Sequence, residues 1–386
     1  MEQAEQLICL AIRGDAQAWP AGSDPGAIAR FIELLRYHGM AALFDRAMRD
    51  TAARASWPAA ILEHCRAEAL GQTAREMAHR AELPRVLSAL AESGIKALLL
   101  KGASLAYSHY ENPVLRPRGD TDLLIPRSSR LRAEEILSSL GYVRFPAMRG
   151  EVVSYQASWS LEDSLRMVHE LDLHWRVNNS QVLAKLLEYD ELEPRAITLP
   201  HRCANSYGLA PVDALLLACL HRAGHGNAPY YVNGIAYPAR DRLIWLYDIH
   251  LLVSGMPTGE LEEFSALAAH KRMKVICRDS LIQSVERFGT PIPASVMEAL
   301  RPTGPIEPSA RYCSSGPASQ IAQDFASLSG IGEKTRWLTE QALPPADYMR
   351  NKYRGAAVVW LPLLYARRFA TGLWRLTLAG LGARSR

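Results

Sequence analysis

Asp120 and Asp122 stand one residue apart at the head of the run DTDLLI, and a later run, HELDLHWRV, carries Glu170, Asp172, His174 and Arg176 at every second position. Strands have a side-chain period of two. Read as strands, the first run turns Asp120 and Asp122 to one face and Thr121 and Leu123 to the other. The second sets Glu170, Asp172, His174 and Arg176 opposite Leu171, Leu173, Trp175 and Val177. If the two strands are neighbours, the carboxylates of Asp120, Asp122 and Asp172 converge on one surface. Like charges roughly 4 Å apart repel by about 4 kcal/mol at an effective dielectric of about 20. Such a cluster makes sense when divalent cations neutralise it, and carboxylates are the hard oxygen ligands that Mg2+ or Mn2+ prefer. The plain alternative is solvated acids on an edge strand, but Asp is depleted in strand interiors and here it recurs in phase.

Upstream, Leu100-Lys101-Gly102-Ala103-Ser104 ends an apolar run and begins an expected helix. Glycine at such a turn lets backbone approach a phosphate closely, while helix N–H groups and a hydroxyl donate to it. Alone this is a weak signal, since strand–Gly–helix turns also arise from packing. His174 shares the face of Asp172 and is expected to support a ligand there. His169 falls on the Leu171 face and is set aside, and Trp175 reads as core. His221 and His225 lie four apart on one helix face, a zinc-compatible spacing, but Arg222 stands where HExxH enzymes carry Glu. A buried polar contact between helices, with Asp248 orienting either His, is favoured over a place in an acceptor site.

These residues need elements to hold them. The chain has 386 residues, 48% apolar and 22% charged, which excludes wholesale disorder and allows a large core. Residues 1–80 read as helical, with IARFIELLRYHGMAALFDRAMRD spacing its apolar positions by three and four. Residues 81–200 alternate strands and helices, with Gly94 and Gly141 closing helices. Residues 201–386 return to helix, in PVDALLLACLHRAGHG, RLIWLYDIHLLVSG and LEEFSALAAHKRMKVICRDSLIQSVERFG. Residues 301–316 are the most linker-like stretch. Six cysteines without a CxxC pair, acids in the first residues and no apolar run of roughly 18 point to a cytoplasmic chain without disulfides.

The net charge is +4, yet residues 350–386 hold eight basic residues and no acid. The remaining 36 basic and 40 acidic residues leave a body at −4. Without a diffuse basic field, nucleic acid is not an expected partner. The tail interleaves Arg with Trp360, Phe369 and Trp374, so it is expected to dock on the body, with weak contact to anionic membrane as the lesser role.

Together the motifs resemble the nucleotidyltransferase-fold superfamily, the fold of the DNA polymerase beta palm. There an apolar strand, a Gly-(Gly/Ser) turn, Asp-x-Asp/Glu and a later third acid follow in order. LLLKGASLA, LRPRGDTDLLI and ELDLHWRV carry the likeness. The chain more closely resembles a bacterial nucleotidyltransferase family whose members accompany exopolysaccharide and modified-peptide (lasso peptide) gene clusters. Weaker correspondences are LLLACLHRAGH, RLIWLYDIHLLV and LPPADYMRNKY. The resemblance implies an α+β fold, a mixed-sheet core flanked by N- and C-terminal helical regions. It implies Asp120 and Asp122 as ligands of Mg2+ or Mn2+, and Asp172 as a third ligand or the base for the acceptor. Lys101, Gly102 and Ser104 would lie at the triphosphate of an NTP co-substrate, with Arg116 beside the metal turn; Lys101, Arg116 and Arg118 would stabilise the leaving pyrophosphate. The acceptor would be a small molecule or peptide. Ala103, where many members have Gly or Ser, and the inserted loop YSHYENPVLRPRG depart from the pattern and leave nucleotide choice open. A rival reading is a nucleotide-binding accessory or scaffold protein that keeps the fold.

Overall fold

Leu98 and Leu99 form the short strand β1, and these two leucines face opposite sides of one mixed sheet. The computed structural model describes residues 3–20, 22, 26–199, 203–225, 230–232, 235–237, 241–353 and 360–382. Before β1 come helices α1 (Gln3–Ile12), α2 (Ala27–His38), α3 (Ala41–Met48) and α4 (Ala59–Glu92). After it come α5 (Lys101–Ser108), β2 (Asp120–Leu124), α6 (Arg130–Ser139), β3 (Val143–Arg144), β4 (Gln156–Glu162), β5 (Val168–His174), the single turn α7 (Tyr189–Leu192), β6 (Ile197–Thr198) and β7 (Tyr207–Gly208). The sheet order is β3-β4-β5-β2-β1-β7-β6. β2 is parallel to β5 and β1 to β7, and the other pairings are antiparallel. The fold is therefore α+β with a mixed sheet, as expected.

Two apolar layers cover the sheet. Leu98, Leu100 and Leu124 join α1–α3 on one face, together with α8 (Pro211–His225), α9 (Leu243–Gly255), α10 (Thr258–His270) and α11 (Lys274–Phe288). N- and C-terminal helices thus share one core. Leu99, Leu123, Leu171 and Leu173 pack on the other face against α6 and the second half of α4. A small hairpin, β8 (Tyr230–Val232) with β9 (Ile235–Tyr237), follows α8.

Helix α4 ties the layers together, sending Ile61 and Cys65 into the first core and Val86, Leu87 and Leu90 into the second. It runs 34 residues, from the N-terminal helical region into the strand-and-helix region. Its Ala, Glu, Arg and Leu content favours continuous helix. Gly94, at φ +73°, closes it, and the Ile95 N–H reaches the Leu90 carbonyl at 2.9 Å.

Two local readings are corrected. The segment from Leu261 to Gly289 is two helices, because Arg272 turns to φ +56° and lets the buried Met273 close α10 onto Ala268. The linker-like stretch is only partly a loop. Its second half is α13 (Pro308–Ser314), following α12 (Ala294–Ala299), and α13 buries Ser309, Ala310 and Cys313.

The remaining helices are α14 (Pro317–Ala326), α15 (Gly330–Ala342), α16 (Ala346–Lys352) and α17 (Leu361–Gly382). Carboxylates hook them onto the core. Glu340 accepts the N–H groups of Glu151, Val152 and Val153 at 2.9–3.2 Å, and Asp324 accepts from Ser180 Oγ and the Gln181 N–H at 2.9 and 2.8 Å. α17 buries Leu364, donates the Tyr365 hydroxyl to the Pro344 carbonyl and lays Arg368 over the Tyr348 ring. It therefore docks on α15 and α16, while Trp360, Leu363 and Phe369 stay exposed at 57–71%. Of the eight basic residues, Arg354, Arg384 and Arg386 lie outside the described residues. All six cysteines are free thiols. Among the described residues no helix is long and apolar enough to cross a membrane.

Candidate active site

In the parallel pair β2–β5, Asp120 is level with Glu170, Asp122 with Asp172 and Leu124 with His174. Leu124 belongs to the helix-covered core, so this whole row faces the side of α8 and α9, while Leu123, Leu171 and Leu173 face away. Asp122, Asp172 and His174 each bring one ligand atom within 4.8 Å of the other two. The closest group thus includes His174, which the sequence reading gave only a supporting place. Asp120 stands one step out at the exposed end of β2. Two carboxylates and an imidazole fit a divalent cation, with Asp120 within the same row to add a further oxygen.

Asp122 is the electrostatic centre. Lys101 Nζ lies 2.6 Å and His174 Nε2 2.8 Å from the same Oδ1. Burial pushes the Asp122 carboxyl up, but the Lys101 ammonium and the His174 hydrogen bond outweigh it and hold the group well below the usual carboxylate range. Asp120 goes the other way. Burial, then the charges of Asp122 and Asp172, push it up to about 7. Gln156 Nε2, on β4, reaches Asp172 Oδ2 at 3.4 Å, and Asn179 Nδ2 holds Gln156 Oε1 at 3.0 Å. The buried His174 Nδ1 has no hydrogen-bond partner among the described residues.

The turn after β1 shapes the other wall. Lys101 begins α5 in the left-handed region at φ +48°, a strained setting for a side-chain-bearing residue that the bond to Asp122 secures. A Cβ on Gly102 would sit 2.9 Å from Arg116 Cζ, so glycine here admits the Arg116 guanidinium. Arg116 is buried and bidentate on Asp248, Nε to Oδ1 and Nη2 to Oδ2 both at 2.7 Å. Tyr110 donates to the same Asp248 at 2.7 Å. Asp248 therefore holds Arg116 and Tyr110, not the imidazoles of α8, because an unprotonated imidazole cannot compete with a forked guanidinium. Arg118 is likewise engaged, with Nη2 2.6 Å from Glu76 Oε2. Ser104 faces away from the cleft: it packs against Gly208, beside a small cavity that Lys101, His221 and Asp248 also line.

The cleft above this row has a volume of about 590 Å3, the size of a nucleotide-scale site. Lys101, Gly102, Arg116, Arg118, Asp120, Asp122 and Asp172 all border it, and His221 and His225 reach it from α8. The long helix α4 contributes a stripe of Glu68, Gln72, Arg75 and His79, at spacings of four, three and four. That stripe was missed because in sequence it is indistinguishable from a solvated helix face. Gln156 was also missed; its place on the polar phase of QASWS was the available signal. Burial pushes the His221 imidazole well below its ordinary value, and burial with the Lys101 charge lowers His225 to about 4.

A search of curated proteins finds no match for this chain. A family model described as uncharacterised nucleotidyltransferase matches residues 24–289, from the approach to α2 through the end of α11, and so takes in the whole sheet and cleft. The chain belongs to this nucleotidyltransferase family.

Proposed function

We propose that the protein transfers a nucleotidyl, or related phosphoryl, group from an NTP to a small-molecule or peptide acceptor, with a divalent cation. The observation that carries this reading is the level pair Asp122 and Asp172, with the buried His174 bonded to Asp122, beside the Lys101–Gly102 turn that borders the same cleft. A cation held by Asp122, Asp172 and His174 would neutralise phosphate charge and polarise the attacked phosphorus. The chain's own groups do the rest. Lys101 Nζ, now on Asp122, would follow the leaving pyrophosphate, and the first turn of α5 borders the same cleft through Gly102. Gln156 fixes the Asp172 carboxylate through its amide. Asp120, at the open end of the row, is positioned to take the acceptor's proton, with the half-buried Asp172 beside it. Arg116 and Arg118 act as fixed positive walls, since Asp248 and Glu76 hold them in place.

Exopolysaccharide or modified-peptide biosynthesis is the setting we infer, in the cytoplasm, with α17 making weak peripheral contact with the inner face of the membrane. The rival reading of a nucleotide-binding accessory protein draws on the Lys101–Asp122 bond, because an ammonium already neutralises one ligand. Incubation of the full chain with each of the four ribonucleoside triphosphates and Mg2+ or Mn2+ separates the two. Metal-dependent pyrophosphate release supports transfer. Binding without release by any nucleotide, over a panel of acceptor extracts, supports the accessory role.

A further inference from the structure

Where α8 and α9 line the cleft, its wall is aromatic. His221 and His225 meet edge to face along α8, with ring centroids 4.5 Å apart and planes 63° apart, and Trp245 of α9 stands against both, at 5.2 and 5.6 Å. The two imidazoles are half-buried and border the cleft, whereas Trp245 is 3% exposed and backs them. This wall meets the phosphate side of the site, because His221 and Trp245 also border the small cavity behind Lys101 and Ser104.

Three uses of such a wall fail on the geometry or the charge. Among the described residues, His221 and His225 belong to no group of three metal-ligating side chains, so a second metal site is not built here. Burial lowers both imidazoles, and Lys101 lowers them further, so at neutral pH they carry no charge to offer a phosphate and no acidic proton to donate. What remains is a cluster of uncharged aromatic rings inclined to one another, whose faces border the cleft. A ring face of such a cluster takes a planar, uncharged heterocycle by stacking.

We propose that His221 and His225, backed by Trp245, form the nucleobase site of the NTP, with its triphosphate on the Lys101–Gly102 turn. The proposal rests on the nucleotidyltransferase reading of the cleft and deepens it. It also divides the cleft, leaving the α4 stripe with Arg75 and His79 as the wall for the acceptor.

Calorimetric binding of Mn2+ with inorganic tripolyphosphate, and of Mn2+ with each of the four NTPs, tests it on the full chain. Wild type is expected to bind at least one NTP roughly ten- to a hundredfold more tightly than tripolyphosphate, the range of one stacked base. His225→Leu, and the double change His221→Leu with His225→Leu, should lose that advantage while keeping tripolyphosphate affinity within about twofold. Because the double variant risks misfolding, wild-type tryptophan fluorescence gives a second readout. An NTP, but not tripolyphosphate, should quench it, and the quench should vanish in Trp245→Phe. Equal affinity for tripolyphosphate and every NTP, or an NTP advantage that survives His225→Leu with no Trp245-dependent quench, overturns the base site alone. Failure of both ligands to bind would overturn the nucleotidyltransferase reading and this inference with it.

Discussion

Lys101 Nζ sits 2.6 Å from Asp122 Oδ1, so the most buried carboxylate of the row is already paired with a cation from the turn after β1. The pair is largely shielded, with Asp122 7% and Lys101 21% exposed. Removing one partner of a shielded pair leaves an uncompensated charge, which is more costly than losing a surface bridge.

Asp122→Asn and Asp120→Asn should therefore differ in stability while sharing a loss of activity. Asp122→Asn strands Lys101 and is expected to lose about 3 kcal/mol. Asp120→Asn removes a repelling charge and should melt at or above the wild-type temperature. Both should lower metal-dependent turnover at least about a hundredfold, as loss of transition-state charge stabilisation does. Thermal melts beside pyrophosphate assays check this, and an Asp122→Asn protein as stable as wild type would show that the pair contributes little.

The metal-free protein should also lose stability as pH rises. Asp120 is pushed from an ordinary 3.8 up to about 7 in the folded state, so between those values the folded chain holds a proton that the unfolded chain has released. Stability then falls from about pH 4 to about pH 7 and levels above it. Asp120→Asn should remove that slope, measured as the difference in melting temperature between variant and wild type across the window. Acid-side stabilisation that persists unchanged in the variant would assign the slope elsewhere.

Arg116 and Asp248 form a buried fork with 9% and 6% exposure. Either Arg116→Ala or Asp248→Asn should cost about 3–5 kcal/mol. The double variant should cost clearly less than the sum, since the partners share one interaction. Additive losses in urea denaturation would mean the two residues act independently.

Trp360, just before α17, and Leu363 and Phe369 on it are exposed although Leu364 and Tyr365 are docked. Each basic residue near an anionic surface is worth about 1 kcal/mol. Co-sedimentation with phosphatidylserine vesicles is expected to show weak binding that high salt removes and that truncation of residues 350–386 abolishes. Strong, salt-resistant binding would instead make the tail an anchor.

What could be read from the chain followed its local periods. The common face of Asp120, Asp122 and Asp172 follows from strand alternation, and Gly94 and Gly141, both at positive φ, end their helices as their positions indicate. What could not be read depends on partners far along the chain. Arg116 meets Asp248 across 132 residues, and nothing in LRPRG names that carboxylate. Ser104 turned from the cleft because β7 brings Gly208 against it, a pairing of two two-residue strands too short to show a period. His174 joined the closest ligand group because β2 and β5 pair in parallel, and alternation alone does not state the register.

That register has a consequence for how the protein can fail. Asp122 is level with Asp172, and Leu123 with Leu173 on the opposite face. A slip of β2 by one residue would drive both aspartates of DTDLL into the leucine layer and turn Leu123 onto the carboxylate face. No partly working misregistered form is available to the chain. The polypeptide must assemble its charged row to hide its leucines, so a correctly paired sheet and a formed cleft are the same folding event.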